Sequence, residues 1–206
     1  MARIKTEACS TRGEPVRQRV IDAAERLLRE GRADFSMRDL AAGAGVSFAT
    51  PFNQFGSKAA IMQALSERRI DEMARRFAQS PPLLDAASRV LLAVDIAAAV
   101  MLEEPDVSRA VMGWLGTPSA SPGRVWERST ALWLLALGDG EGLNAVRGTE
   151  ALTRLSGQLA FVFRGVLSFW TAGELPDKAL GTSAREIVGM LLRGLAERPL
   201  SQHNDL

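Results

Sequence analysis

From Val16 to Leu195 the apolar residues of this chain recur every three or four positions, and no stretch alternates apolar with polar at the period of a strand. That pattern excludes a sheet and leaves helices packed on helices, so the expected fold class is all-α. Val16, Val20, Ala24, Leu27 and Leu28 share one face, with Pro15 ahead of it and Gly31 behind as a stop. Ser36 and Asp39 have the spacing of a capping box, which predicts a second, short helix ending at Gly43 and Gly45. Ser47 and Ser57 are the expected N-caps of a third and a fourth helix. The fourth turns Ile61, Leu65, Met73 and Phe77 inward and stops at Pro81 and Pro82. Further helices are expected over 83–103, 124–137 and 149–172, with a short apolar segment at 107–115. A last helix carries Ile187, Val188, Leu191, Leu192 and Leu195.

The residues that are scarce narrow the chemistry. One cysteine, Cys9, one histidine, His203, and no tyrosine are present among 206 residues. A disulfide within the chain, a Cys/His zinc site and a histidine-based catalytic triad all lack their parts. The carboxylates Glu103 and Glu104 are adjacent on a helix and point in different directions, so they make a poor acid/base couple. No catalytic residue, metal or cofactor is therefore assigned, and the chain is not read as an enzyme. The longest nearly apolar run, Val90 to Leu102, contains Asp95 and is too short to span a bilayer. With no apolar leader in the first 15 residues, no membrane contact is expected and the expected location is cytoplasmic. Charge is divided unevenly: residues 1–80 hold 14 basic and 10 acidic residues, the remainder 11 and 14. A basic first part favours an anionic partner there, with nucleic acid foremost.

Two short helices joined across Ala41-Ala42-Gly43-Ala44-Gly45-Val46 have the form of a helix-turn-helix. The stretch from Arg38 to Lys58, preceded by the helix from Val16 to Glu30, resembles the TetR-type (TetR/AcrR) transcriptional regulators in order and spacing. The specific resemblance covers about residues 16–65. It implies a three-helix DNA-binding domain over 15–60 with a linking helix at 57–80, then a helical effector-binding and dimerisation domain over 82–198. Flexible tails at 1–14 and 199–206 flank these units, and the first is basic through Arg3, Lys5 and Arg12.

Site roles follow the resemblance residue by residue. Arg38 would face the DNA backbone, Ser47, Ala49, Thr50, Phe52, Asn53 and Gln54 would lie on or beside the recognition helix, and Lys58 would neutralise a phosphate. Asn53 and Gln54 are the best base readers, since an amide can pair bidentately with adenine. Three positions depart from the family's usual residues: Pro51 for leucine, Phe52 for tyrosine and Gln54 for histidine. Pro51 also removes an early helical hydrogen bond and can tilt or tighten the first turn.

In the second part, Leu155, Leu159, Val162, Val166, Phe169, Val188, Leu191 and Leu195 are the candidate dimer interface, a four-helix contact between two subunits. Met101, Met112, Trp114, Trp126, Trp133 and Phe161 are the candidate lining of an apolar effector cavity. Arg109, Arg128 and Glu104 are read as surface residues, with orientation of a polar ligand group as their other possible role. The expectation is a homodimeric regulator, a repressor released from a double-stranded DNA operator by a small apolar effector. Its alternative is a small-molecule-binding protein of the same fold that no longer reads DNA, which Pro51 and the uncharged 48–55 stretch motivate.

Overall fold

The computed structural model describes residues 14–116, 123–144, 146 and 148–196. Among them are nine helices and no strand: α1 (Glu14–Arg29), α2 (Met37–Ala44), α3 (Ala49–Phe55), α4 (Lys58–Ala78), α5 (Ala86–Glu103), α6 (Pro105–Trp114), α7 (Val125–Leu137), α8 (Thr149–Thr171) and α9 (Asp177–Ala196). Residues 1–13 and 199–206 of the expected tails, with Arg3, Lys5, Cys9, Arg12 and His203, lie outside the described residues, while Glu14, placed in the first tail, begins α1.

Local chemistry sets the helix ends. In the capping box, the Ser36 hydroxyl accepts from the Asp39 N–H at 3.2 Å, while the Asp39 carboxylate accepts from the Ser36 N–H at 2.8 Å. The hydrogen bond from the Ser36 backbone holds the Asp39 carboxyl below its ordinary pKa. The Ser57 hydroxyl caps α4 by accepting from the Ala60 N–H at 3.2 Å. The helix expected from Leu83 begins three residues later, because the Asp85 carboxylate accepts from the Ser88 N–H at 2.8 Å and fixes the cap there. Ahead of that cap, Leu84 lies almost wholly in solvent.

Two buried clusters form. Val20, Ile21, Leu27 and Leu28 of α1 meet Phe35, Leu40, Ile61 and Leu65, and α6 contributes Val107 and Val111. The larger cluster joins Met73, Val90, Val94 and Met101 to Met112, Trp133, Leu159, Trp170, Leu180 and Val188. Helices α4 and α6 supply side chains to both.

Gly45 makes the α2–α3 turn. It takes φ 62° and ψ 42°, and its N–H and that of Val46 bond the carbonyls of Ala42 and Ala41 at 3.1 and 3.0 Å. A Cβ there would touch nothing within 4 Å, so replacement costs backbone strain alone. Gly45→Ala should destabilise the protein by about 1–2 kcal/mol. Gly43 is helical, and its added Cβ would make an ordinary contact with Ala23, 3.6 Å away. Gly43→Ala should therefore stabilise by up to about 1 kcal/mol. Urea denaturation of both variants checks the opposite signs, and equal effects would refute this account of the turn.

Candidate nucleic-acid interface and internal cavity

The turn at Gly45 delivers α3 to the surface. Phe48 already has helical angles, so the N-cap of α3 falls on Phe48 with no side-chain cap bond, one residue after the expected Ser47. The Ser47 hydroxyl instead pairs with that of Thr50 at 2.8 Å. Pro51 is buried on the inner side of α3. A residue there with an N–H would bond the Ser47 carbonyl; the Thr50 N–H takes that carbonyl at 2.9 Å, closing the first turn more tightly. The tightening expected of Pro51 is what the backbone does.

On the outer side Ser47, Phe48, Ala49, Phe52 and Asn53 are exposed, while Thr50 and Gln54 are half-buried. Phe48 and Phe52 meet edge to face at 5.6 Å, and the exposed Arg38 guanidinium lies 5.7 Å from the Phe48 ring. Sequence reasoning left Phe48 out of this surface. Its signal was a bulky apolar residue beside the apolar Phe52 on a helix with only a short inner face. Arg17, also unassigned, lies 4.2 Å over the Phe55 ring and donates to the Gln54 carbonyl at 3.1 Å, bracing the end of α3 on α1.

Lys58 is turned away from this surface. Its ammonium donates to the carbonyls of Ala33 and Phe35 at 2.8 and 2.9 Å and sits 4.2 Å over the Phe35 ring. Burial pushes its pKa down. In this conformation it ties the 33–35 loop to α4.

Behind α4 the second cluster lines a narrow cavity of about 60 Å³ that opens on one side to solvent. Of the six expected lining residues, Met101, Met112 and Trp133 line it. Trp126 and Phe161, tilted on each other at 4.7 Å, line a shallower outer groove and are more than half exposed. Trp114 packs against the first cluster, 5.2 Å from the Lys58 ammonium. Arg109, Arg128 and Glu104 do not line the cavity; each is ion-paired elsewhere.

The polar lining is Ser66, Arg69, Ser129 and Arg164, none of them anticipated. Buried Arg69 donates to the buried Ser108 hydroxyl at 3.2 Å, and its outer nitrogens reach Glu25 of α1 at 3.5 Å and Glu104 at 3.8 Å. Glu25 also pairs with Arg68 at 2.8 Å, and Glu104 with Arg29 of α1. The hydrogen bond from Arg29 holds the Glu104 carboxyl below its ordinary pKa. A cavity wall and α1 of the first cluster thus share one ion-pair network.

The residues expected at a dimer interface separate by burial. Leu155, Leu159 and Val188 lie in the chain's own core. Val162, Val166, Leu191 and Leu195 are half-buried, and Phe169 is 59% exposed. Helix α8 carries two apolar stripes: the inward one packs on α7 and α9, and Phe161, Gly165 and Phe169 make an outward one. Ile187 and Met190 of α9 are exposed as well.

Residues 20–65 match the model of the bacterial regulatory proteins of the tetR family. Over nearly its full length the chain has the fold of solved proteins. A TetR transcriptional regulator from Rhodococcus sp. RHA1 is 24% identical with a TM-score of 0.72, the match covering 87% of this chain and 96% of that one. A TetR-family regulator from Pectobacterium atrosepticum is 22% identical, with a TM-score of 0.68 and 95% and 100% covered. The R. erythropolis transcriptional repressor QsdR is 17% identical, with a TM-score of 0.65 and 90% and 98% covered. No curated protein matches.

Proposed function

We propose, for a chain whose residues 20–65 belong to the tetR family of bacterial regulators, a role as a one-component transcriptional regulator. It binds operator DNA through α3 and is released by a small-molecule effector, which makes it a repressor. The observation that carries this reading is the outward surface of α3, where Phe52 and Asn53 are exposed after the turn at Gly45 and the exposed Arg38 of α2 lies against Phe48. Asn53 is a base reader and Arg38 a phosphate contact. The outward stripe of Phe161 and Phe169, with Ile187 and Met190, supports a homodimer. A two-fold axis through it would present two copies of α3 at roughly 34 Å, one turn of DNA. The expected domain division, the cytoplasmic location and the absence of catalysis belong to this same reading.

Release works by differential affinity. An effector in the cavity favours one placement of α4, and the Arg69–Glu25–Glu104 network passes that preference to α1. A ligand-saturated protein that bound operator as tightly as the free protein would refute this step.

One observation favours a second reading, a ligand-binding protein of the same fold that does not read DNA: the 48–55 segment carries no charge and the Lys58 ammonium is engaged inside the fold. Fluorescence anisotropy of labelled DNA from upstream of the protein's own gene, titrated across a salt series, separates the two. Saturable binding that weakens with salt and resists non-specific competitor is the expected result. No binding at low salt would favour the second reading.

A further inference from the structure

The cavity's polar groups are all able to donate, and none of them is acidic. No carboxylate lines it, although five helices do, and the carboxylates nearest to Arg69, those of Glu25 and Glu104, hold its outer nitrogens from outside the cavity. Arg164 of α8 differs from Arg69, the other arginine that lines the cavity. It is half-buried and makes no ion pair among the described residues, and its one hydrogen-bond contact is to the Met112 sulfur at 3.7 Å, a weak acceptor. Burial alone shifts its pKa, downward, with no neighbouring charge opposing it. The indole N–H of Trp133, whose side chain is 99% buried, also lacks an acceptor. Among the described residues, two side chains that line this apolar chamber thus carry a donor without a strong acceptor, and one of the two is a cation. An unpaired buried donor or charge is costly, and a bound group that satisfies it gains that cost back as affinity.

The rest of the wall is apolar and aromatic: Met101, Met112, Leu132 and Phe163, the last edge to face with Trp133 at 5.4 Å. Arg164 and Ser129 also line the outer groove that adjoins the cavity, so the cation stands where the chamber meets the outside.

We infer that the cavity takes a small monoanion, a carboxylate on an aromatic or branched aliphatic body, with the carboxylate received by Arg164 and the body lying against Trp133 and Phe163. This rests on the reading of the cavity as the effector site and names the chemistry of its ligand. A planar carboxylate can accept two parallel N–H bonds from a guanidinium, which neither a neutral amide nor an amine can do. Arg69 is not the first receiver, because its nitrogens are already engaged with Glu25, Glu104 and Ser108.

The test is calorimetric titration of the full-length, DNA-free protein with isosteric sets: benzoate, benzamide and benzylamine, then phenylacetate and 4-methylvalerate with their amides and amines. In at least one set the carboxylate should bind at least about tenfold more tightly than its amide, and the amine should bind weakest. Arg164→Gln should remove that preference by weakening the carboxylate far more than the amide, and Arg164→Lys, which keeps the charge but not the fork, should retain part of it. Amide binding that persists in the glutamine variant shows that its cavity is still formed. Equal binding of carboxylate and amide, tighter binding of the amine, or a carboxylate preference that survives Arg164→Gln would each overturn the inference while leaving the regulator reading in place. If no compound binds at millimolar concentration, the cavity is not the receiver of such an anion. The DNA titration, which needs no ligand, tests the regulator reading separately.

Discussion

Trp170→Ala should lower the stability of the protein by about 3–5 kcal/mol, a large share of what a domain of this size possesses. The side chain is fully buried where three helices meet. Its indole N–H donates to the Asp177 carboxylate at 2.8 Å, tying the end of α8 to the first residue of α9. The Arg109 guanidinium of α6 lies 4.5 Å over the ring and also pairs with Asp177. Truncation therefore opens a cavity and deprives Arg109 of its aromatic partner together. Trp170→Phe keeps an aromatic ring but loses the hydrogen bond and part of the volume, and should cost about 1–2 kcal/mol. Guanidinium denaturation of the two variants gives both values from the midpoint. A loss below about 1 kcal/mol for the alanine variant would mean that the α8–α9 junction does not hold this part of the fold.

The second large effect concerns DNA, and here Asn53 of α3 and Arg38 of α2 should fail in different ways. Asn53→Ala should weaken operator binding by about 1–3 kcal/mol, roughly five- to 150-fold, and leave binding to unrelated DNA unchanged. Arg38→Ala should weaken both together and reduce the slope of log K against log salt by about 1. Both side chains are exposed and neither supports the buried cluster, so folding should be untouched. Anisotropy titrations on operator and scrambled duplexes at several salt concentrations distinguish the outcomes. Were Asn53→Ala to lower both affinities equally, Asn53 would be a phosphate contact and sequence would be read elsewhere on α3. Phe52 and Phe48 would then be the next candidates, as apolar side chains that can meet a thymine methyl group.

Local signals were the most legible part of this chain. The capping box at Ser36 and Asp39, the stop at Gly31 and the left-handed turn at Gly45 depend on residues a few positions apart, so the sequence states them directly. Direction across the fold was harder to read. Lys58 follows its cap as expected, yet the carbonyls that hold it belong to a loop more than 20 residues earlier. The apolar stripe of α8 was visible, but a helix with apolar residues on two faces does not say which face meets its own chain. Leu155 and Leu159 went inward and Phe169 outward. The two cavity arginines had a signal that was missed. Arg69 stands four residues after Leu65 and four before Met73 on a buried stripe, and Arg164 occupies the same kind of place between Ala160 and Leu167. A charge placed where a helix should be apolar needs a partner that local pattern cannot supply.

The contribution of α6 to both buried clusters bears on how such a protein can be recombined. Pro81 and Pro82 look like a seam, and a chimera joined there would carry α1 to α4 onto a foreign effector half. It would leave behind Val107 and Val111, which seat against the first cluster from the far side of the seam. The transferable unit is therefore discontinuous in sequence: a grafted DNA-reading head keeps its shape only if the recipient's α6 presents matching side chains. The same shared helix couples the two halves mechanically, since any change in the cavity that shifts α6 also reshapes the floor beneath α1 to α4.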